Sequence, residues 1–291
     1  MPPLYIHLFW SFTMVRLVHR LRPFFLLSAL FLIVSILYVC DVDHGIAPLP
    51  GRLELTVKFL NEPPSNTQGI YLMVAPNFPP HAINELYHSP NSLPIDQDTV
   101  YTEIVLPYGH YDAMALWWYS TETESNLADV LAIPVDISTE LQPRGFDITP
   151  EDPIYQATII ANWRKVDRNA NITGTITFEG EWPEDTAVTA VAAFKNKPER
   201  NVDYLLFLKS IDFSIDVDEN PYQFDLPVRD GSVNYIAVFW LPERAPMTDF
   251  QTIGVYLDPE NPDYPGKMRL SPGETVSGIN IQADWSRITQ P

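Results

Sequence analysis

The residues whose types could do chemistry are few, and their spacing is uninformative. His81 and His88 lie seven positions apart in a proline-rich stretch, and His110 follows Pro107-Tyr-Gly109. Neutral imidazoles can ligate metals or move protons, but no H-E-x-x-H pattern sets two of them on one helix face. Solvated loop histidines are therefore expected. The acid-rich segments Asp216-Val-Asp218-Glu-Asn220 and Asp258-Pro-Glu-Asn-Pro-Asp263 carry the hard oxygen donors that calcium takes. They lack the twelve-residue EF-hand pattern, so Asp216, Asp218, Asp258 and Asp263 are calcium candidates set against a plain solvated loop. No Gly-x-Ser-x-Gly elbow, P-loop or dinucleotide glycine fingerprint occurs. No catalytic residue, structural metal or cofactor is nominated, and the chain reads as a non-enzyme.

Cys40 is the only cysteine, which excludes an intramolecular disulfide and a multi-cysteine zinc site. It closes an uncharged apolar run, Phe24 to Cys40, preceded by Arg16, Arg20 and Arg22 and followed by Asp41 and Asp43. As a helix the run is about 26 Å long, at the lower limit for a membrane span. Bases before it and acids after it predict a cytoplasmic N-terminus with everything beyond residue 40 translocated. Three readings follow: a lipoprotein acylated at Cys40, an uncleaved anchor helix, or a cleaved signal peptide. Val39 is larger than the residue that usually precedes an acylated cysteine. A start at Met14 would give the more usual basic lead, MVRLVHRLR. The membrane is thus an expected partner through residues 24–40, and the body an extracytoplasmic one, periplasmic or at the cell surface.

The body is strongly acidic. Residues 1–40 hold three arginines and no acid, so the remainder carries 15 bases against all 37 acids of the chain. This argues against nucleic acid as a partner and fits a highly solvated surface. With 46% hydrophobic residues the chain is no disordered tail.

Beyond the short linker 41–50 the sequence repeats itself. Ala161-Asn-Trp163 and Ala283-Asp-Trp285 stand 122 residues apart, as do Met114–Trp118 and Ile236–Trp240, and Ile148–Asp152 and Leu270–Glu274. Leu106-Pro107 matches Leu226-Pro227 at 120, and Val57-Lys-Phe59 matches Ile176-Thr-Phe178 at 119. Collinear matches at nearly constant offset indicate a duplicated unit, with boundaries at 51–168 and 169–291. Trp117, Trp118, Trp163, Trp240 and Trp285 recur at equivalent places and read as core aromatics. Trp182, in the polar turn Gly180–Asp185, is the aromatic expected to be exposed and is the ligand-binding candidate.

The apolar period in each copy is two, that of a half-buried strand. Arg52–Phe59, Asn171–Phe178 and Ser277–Ala283 alternate; Ile70–Ala75, Ala187–Phe194 and Tyr235–Trp240 are denser and read as central strands. Thr121–Leu131 and Asn201–Leu208 are candidate short helices. Asn171-Ile-Thr173 is a formal glycosylation acceptor placed in a strand. The fold class is all-β: two tandem antiparallel seven-stranded β-sandwiches after one N-terminal hydrophobic helix.

Val100-Tyr-Thr-Glu-Ile-Val-Leu-Pro-Tyr-Gly-His-Tyr-Asp-Ala-Met-Ala-Leu-Trp-Trp118 resembles the strand, Leu-Pro-x-Gly turn and Tyr-x-x-x-Ala strand of transthyretin-like domains, also called carboxypeptidase-regulatory-like or prealbumin-like. Gly174-Thr-Ile-Thr177 is similar to the opening strand of that family, and the second copy carries a looser match at Tyr222–Tyr235, its glycine displaced by a longer turn. The resemblance implies binding, spacer or assembly modules. The expected role is a membrane-tethered extracytoplasmic binding or structural module of the cell envelope, engaging an envelope protein or glycan. The alternatives are a carbohydrate-binding accessory protein and a hydrolase with a loop-built site.

Overall fold

The computed structural model describes residues 50–80, 83–121, 126–136, 138, 141–200, 202–216, 219–243, 245 and 249–288. The apolar run 24–40, Cys40, His81 and Asp218 lie outside the described residues. Among those described, no helix is long and apolar enough to cross a membrane.

Alternation builds the first strand. In β1 (Gly51–Leu60) Leu53, Leu55, Val57 and Phe59 are buried while their neighbours are partly or fully exposed, as one core-facing and one solvent-facing side require. The later strand Ala170–Glu179 repeats this burial residue for residue. In the first half, β1 is followed by β2 (Thr67–Ala75), β3 (Tyr87–His88), β4 (Thr99–Leu106), β5 (Ala113–Ser120), β6 (Val130–Ala132) and β7 (Ile154–Asn162). They form a three-stranded sheet ordered β7-β1-β4 and a four-stranded sheet ordered β3-β2-β5-β6. In the second half, β8 (Ala170–Glu179), β9 (Thr186–Phe194), β10 (Leu208–Asp212), β11 (Tyr222–Val228), β12 (Tyr235–Pro242), β13 (Gln251–Val255) and β14 (Thr275–Asp284) form one seven-stranded sheet, ordered β10-β9-β12-β13-β14-β8-β11. Its β13 and β14 pair only at Gly254 and Ala283, so it consists of a four-strand and a three-strand set in the order seen in the first half.

Two expectations need correction. The sheets are not wholly antiparallel: β1 runs parallel to β7, and β8 parallel to β14. The chain enters the last strand of each half after the short ladders of Gly109–Tyr111 with Phe146–Ile148, and of Gly231–Val233 with Met268–Leu270. It then runs in the direction of the opening strand. The Leu-Pro match at 120 residues is not a structural equivalence. Gly51 pairs with Leu106 and Ala170 with Val228, whereas Leu226 pairs with Ile172. Leu106 thus corresponds to Val228 at an offset of 122, and the turn glycines Gly109 and Gly231 share that offset. The second glycine is not displaced. Pro227 instead sits within β11, at the sheet edge, where its missing N–H costs no ladder bond to a further strand.

Each half has its own core: one cluster runs from Leu53 to Val166, another from Ala170 to Trp285. The same interactions close both. Trp118 Nε1 donates to Thr67 Oγ1 at 2.9 Å, and Trp240 Nε1 to Thr186 Oγ1 at 2.8 Å. Phe59 stacks on Trp163 at 5.1 Å and Phe178 on Trp285 at 5.4 Å. Both tryptophan pairs of the repeat are buried, as their recurrence predicts. Because each indole N–H would be left buried without an acceptor, Thr67→Val and Thr186→Val are each expected to cost about 1–3 kcal/mol. Urea midpoints of the two variants measure this; a loss in only one would break the equivalence.

A third cluster lies where the halves meet. Ala128, from the 3-10 turn Leu127–Asp129, joins Phe194, Leu208, Tyr235 and Phe239, with Tyr204 of helix α1 (Asp203–Leu206) packed against them. This covering explains why Tyr235–Leu241 is buried on both faces. The candidate helices contract to those two short elements; at Thr121–Leu131, the chain passes from the 3-10 turn straight into β6. The connecting segment is clipped down by charge. Arg168 Nη2 pairs with Asp129 Oδ1, both side chains being nearly inaccessible. The Arg168 guanidinium lies 5.6 Å from the centre of Trp118. Lys165 Nζ reaches across to Leu205 O at 3.2 Å.

Candidate functional site

The sequence-nominated residues do not converge. Asp216 is exposed on one loop; Asp258, half-buried, and Asp263, exposed, share another. Asp258 Oδ1 accepts from Glu260 N at 2.9 Å, and Asp216 O from Glu219 N at 3.2 Å, so these aspartates shape turns. Among the described residues no group of three or more His, Cys, Asp or Glu is placed to hold a metal ion. Trp182 is half-buried, 4.5 Å from Trp285 and 5.6 Å from Phe178. The covering ring, Trp285, comes from a distant part of the sequence, which the polar turn around Trp182 does not reveal.

His110 departs from the solvated-loop expectation. It lies in the strand Gly109–Tyr111, opposite Asp147. Its Nδ1 is 2.8 Å from Asp147 Oδ1 and its Nε2 3.1 Å from Asp112 Oδ1. The Asp147 hydrogen bond, with the charges of both carboxylates, raises its pKa. The resulting stabilisation is complete below pH 6.5 and fades as pH rises through the elevated value; at this exposure it is small. His88 Nδ1 is 3.0 Å from Ser89 O.

The outward face of the sheet β7-β1-β4 offers a different arrangement. Tyr101 on β4 is 79% exposed, the most exposed large hydrophobic residue described. Pairing sets Thr158, Thr56 and Tyr101 in one row across the sheet, and Gln156, Glu54 and Glu103 in the next. Gln156 Nε2 donates to Glu54 Oε2 at 2.8 Å, and Arg52 Nε lies 3.0 Å from Glu54 Oε1. These rows line a shallow depression. An exposed ring beside hydroxyl, amide and carboxylate groups on a rigid sheet provides a stacking surface with hydrogen-bonding donors and acceptors around it. The second half lacks it, because Gln223 stands at the position of Tyr101 and bonds Thr175. Sequence reading missed Tyr101; its outward place in an alternating strand was the available signal.

A small apolar cavity of about 110 Å³ lies between the other sheet of the first half and helix α1, lined by Met73, Phe78, Trp117, Leu127, Tyr204 and Leu205. Trp117 Nε1 is buried there without a hydrogen-bond partner among the described residues.

No family model and no curated protein matches the chain. Similar solved structures include a leucine-rich repeat protein from Bacteroides thetaiotaomicron, at 10% identity over 81% of this chain with a TM-score of 0.31. The minor pilin of Streptococcus agalactiae is 11% identical, covering 82% of this chain and 97% of its own, with a TM-score of 0.24. Family 41 carbohydrate-binding modules from streptococcal virulence factors, in a structure of alpha-glucan recognition, are 12% identical over 79% of this chain and 97% of theirs, with a TM-score of 0.20. The chain spans 27% of the length of the leucine-rich repeat protein. Scores this low establish neither a shared fold nor a shared activity.

Proposed function

We propose that the protein is a non-catalytic binding or structural module of the cell envelope, made of two tandem transthyretin-like β-sandwiches over residues 51–168 and 169–291. In this reading the segment 24–40 tethers it to the membrane and the body stands outside the cytoplasm. The exposed face around Tyr101 carries the proposal: a rigid, doubled scaffold presents in one half only a surface rich in groups that bind. A glycan is the ligand favoured over a protein, because an isolated exposed ring flanked by Glu54, Glu103, Gln156 and Thr158 can stack on a sugar and bond its hydroxyls.

Affinity electrophoresis through gels containing soluble envelope polysaccharide tests this. Wild-type protein should be retarded, and Tyr101→Ala should lose at least about tenfold in affinity, the equivalent of about 1.4 kcal/mol, with an unchanged melting temperature. Equal retardation of both forms would remove the Tyr101 face from the proposal. The tether is tested by the intact mass of the membrane-extracted chain. An acylated chain starting at Cys40 indicates a lipoprotein, and an unprocessed chain an anchor helix. A soluble chain lacking residues 24–40 would overturn the tether.

A further inference from the structure

The body is acidic, yet one of its depressions is basic. Arg164 in the turn Trp163–Lys165, Lys195 after β9, Lys209 in β10 and Arg229 after β11 line an open depression of about 320 Å³, whose one acidic lining residue is Asp230. Lys165, in the same turn as Arg164, is repelled by Arg229 but does not line this depression. Three separate connections and one strand deliver these cations, so they do not reflect a single solvated basic run.

None of the five forms an ion pair among the described residues. Lys209 is 4% exposed. Its Nζ donates to Asp230 O at 2.9 Å and Ser232 O at 3.3 Å, which leaves one ammonium proton without an acceptor among the described residues. Burial pushes Lys209 down to about 8; repulsion from Arg229 and Lys195 adds to this, and Asp230 opposes it. Lys165 falls to about 8 through burial and then Arg229. Arg229 is lowered by burial, with Arg164 adding and Asp230 opposing. Withdrawing Lys209, and Arg229 in part, from water without a paired counter-charge is costly. This chain has 37 acids and supplies one here.

We propose that the depression binds a doubly charged tetrahedral oxyanion, the phosphate or sulfate group of a free ion or of an ester. Four lining cations against one carboxylate leave a surplus that a single carboxylate ligand would only partly neutralise. A dianion matches it better, with the planar donors of Arg229 and the free ammonium proton of Lys209 as charge-assisted contacts. The site is distinct from the Tyr101 face and stands whether or not that face binds glycan.

Calorimetric titration of the full chain in detergent, at ionic strength held constant with sodium chloride, tests this using inorganic phosphate, sulfate and glycerol phosphate as probes. One saturable site per chain is expected. Arg164→Gln/Lys195→Gln, both on exposed side chains, should weaken it at least tenfold without moving the melting temperature in chloride. Sulfate, which does not titrate in this range, should bind more weakly as pH rises from 7 to 9 and Lys209 loses its proton. The other charged groups that face the depression are Arg164, Lys195, Arg229 and Asp230. Tighter binding of glycerol phosphate would mark an ester-borne group as the ligand; equal binding would mark the free ion. Absence of saturable heat with every probe, or undiminished affinity in the double variant, would overturn the site.

Discussion

Replacing Arg168 by methionine is expected to cost about 3–5 kcal/mol at pH 7, because it strands a carboxylate that folding has removed from water. Asp129 is 1% exposed. Its Oδ2 caps the backbone through Asn126 N at 2.7 Å while its Oδ1 takes Arg168. Burial already raises its pKa, with Arg168 opposing. Without the guanidinium the carboxyl should rise further. A native-state pKa above the unfolded value means that the folded chain binds the extra proton, so stability lost at pH 7 returns as pH falls toward 4. Adding Asp129→Asn keeps the cap acceptor without the charge, and the double variant should regain most of the loss at pH 7. Guanidinium denaturation of wild type, single and double variants at pH 5 and 7 measures this. A single variant with a cost below about 1 kcal/mol at pH 7, the range of surface pairs, would show that the pair behaves as an exposed one.

Gly174→Ala is the second large expected loss, about 3 kcal/mol or more, at the upper end of overpacking costs. A Cβ there would lie 1.9 Å from Ile279 O and 2.7 Å from both Ile279 C and Phe224 Cζ. The nearest obstacle is backbone, which cannot rotate away. The cause is a register shift between Ile172 and Gly174, beside Gly278 at φ +82, the left-handed glycine that such bulges use. Leu55, the first-half counterpart of Gly174, pairs in unbroken register with Ala157 and Thr102. Gly109→Ala, with nothing within 4 Å of the added carbon, should stay within about 0.5 kcal/mol. Urea midpoints separate the two; equal effects would mean that β14 can yield at the bulge.

Much of the architecture was legible because solvent leaves a period-two trace. Arg52–Phe59 alternates since one side faces core and the other water, and the 119- and 122-residue offsets follow from strands repeated in order. The change of offset has a location: the connection 76–98 becomes 195–220, three residues longer, while the strands on either side keep their pairing. The Leu-Pro match misled because identical dipeptides weigh the same in a string whether or not they occupy the same rung. Parallel pairing of first and last strands leaves no local mark, since parallel and antiparallel neighbours share the same alternation. The candidate sites were less legible. Arg164, Lys195, Lys209 and Arg229 are ordinary surface bases until strand order gathers them, and Tyr101 is anonymous until the sheet turns it outward. Trp182 shows the converse, a tryptophan in a polar turn covered by a distant one.

The two halves also differ in their unpaired sheet borders. In the second half one border, β10, is five residues long with the buried charge of Lys209, and the other, β11, carries Pro227; both are devices that discourage further pairing. The first half has long borders in β4 and β7 without proline, bearing Val105 at 59% and Ile160 at 64% exposure. Edge-to-edge joining of copies is therefore opposed at β10 and β11, while β4 carries neither a proline nor a buried charge against it.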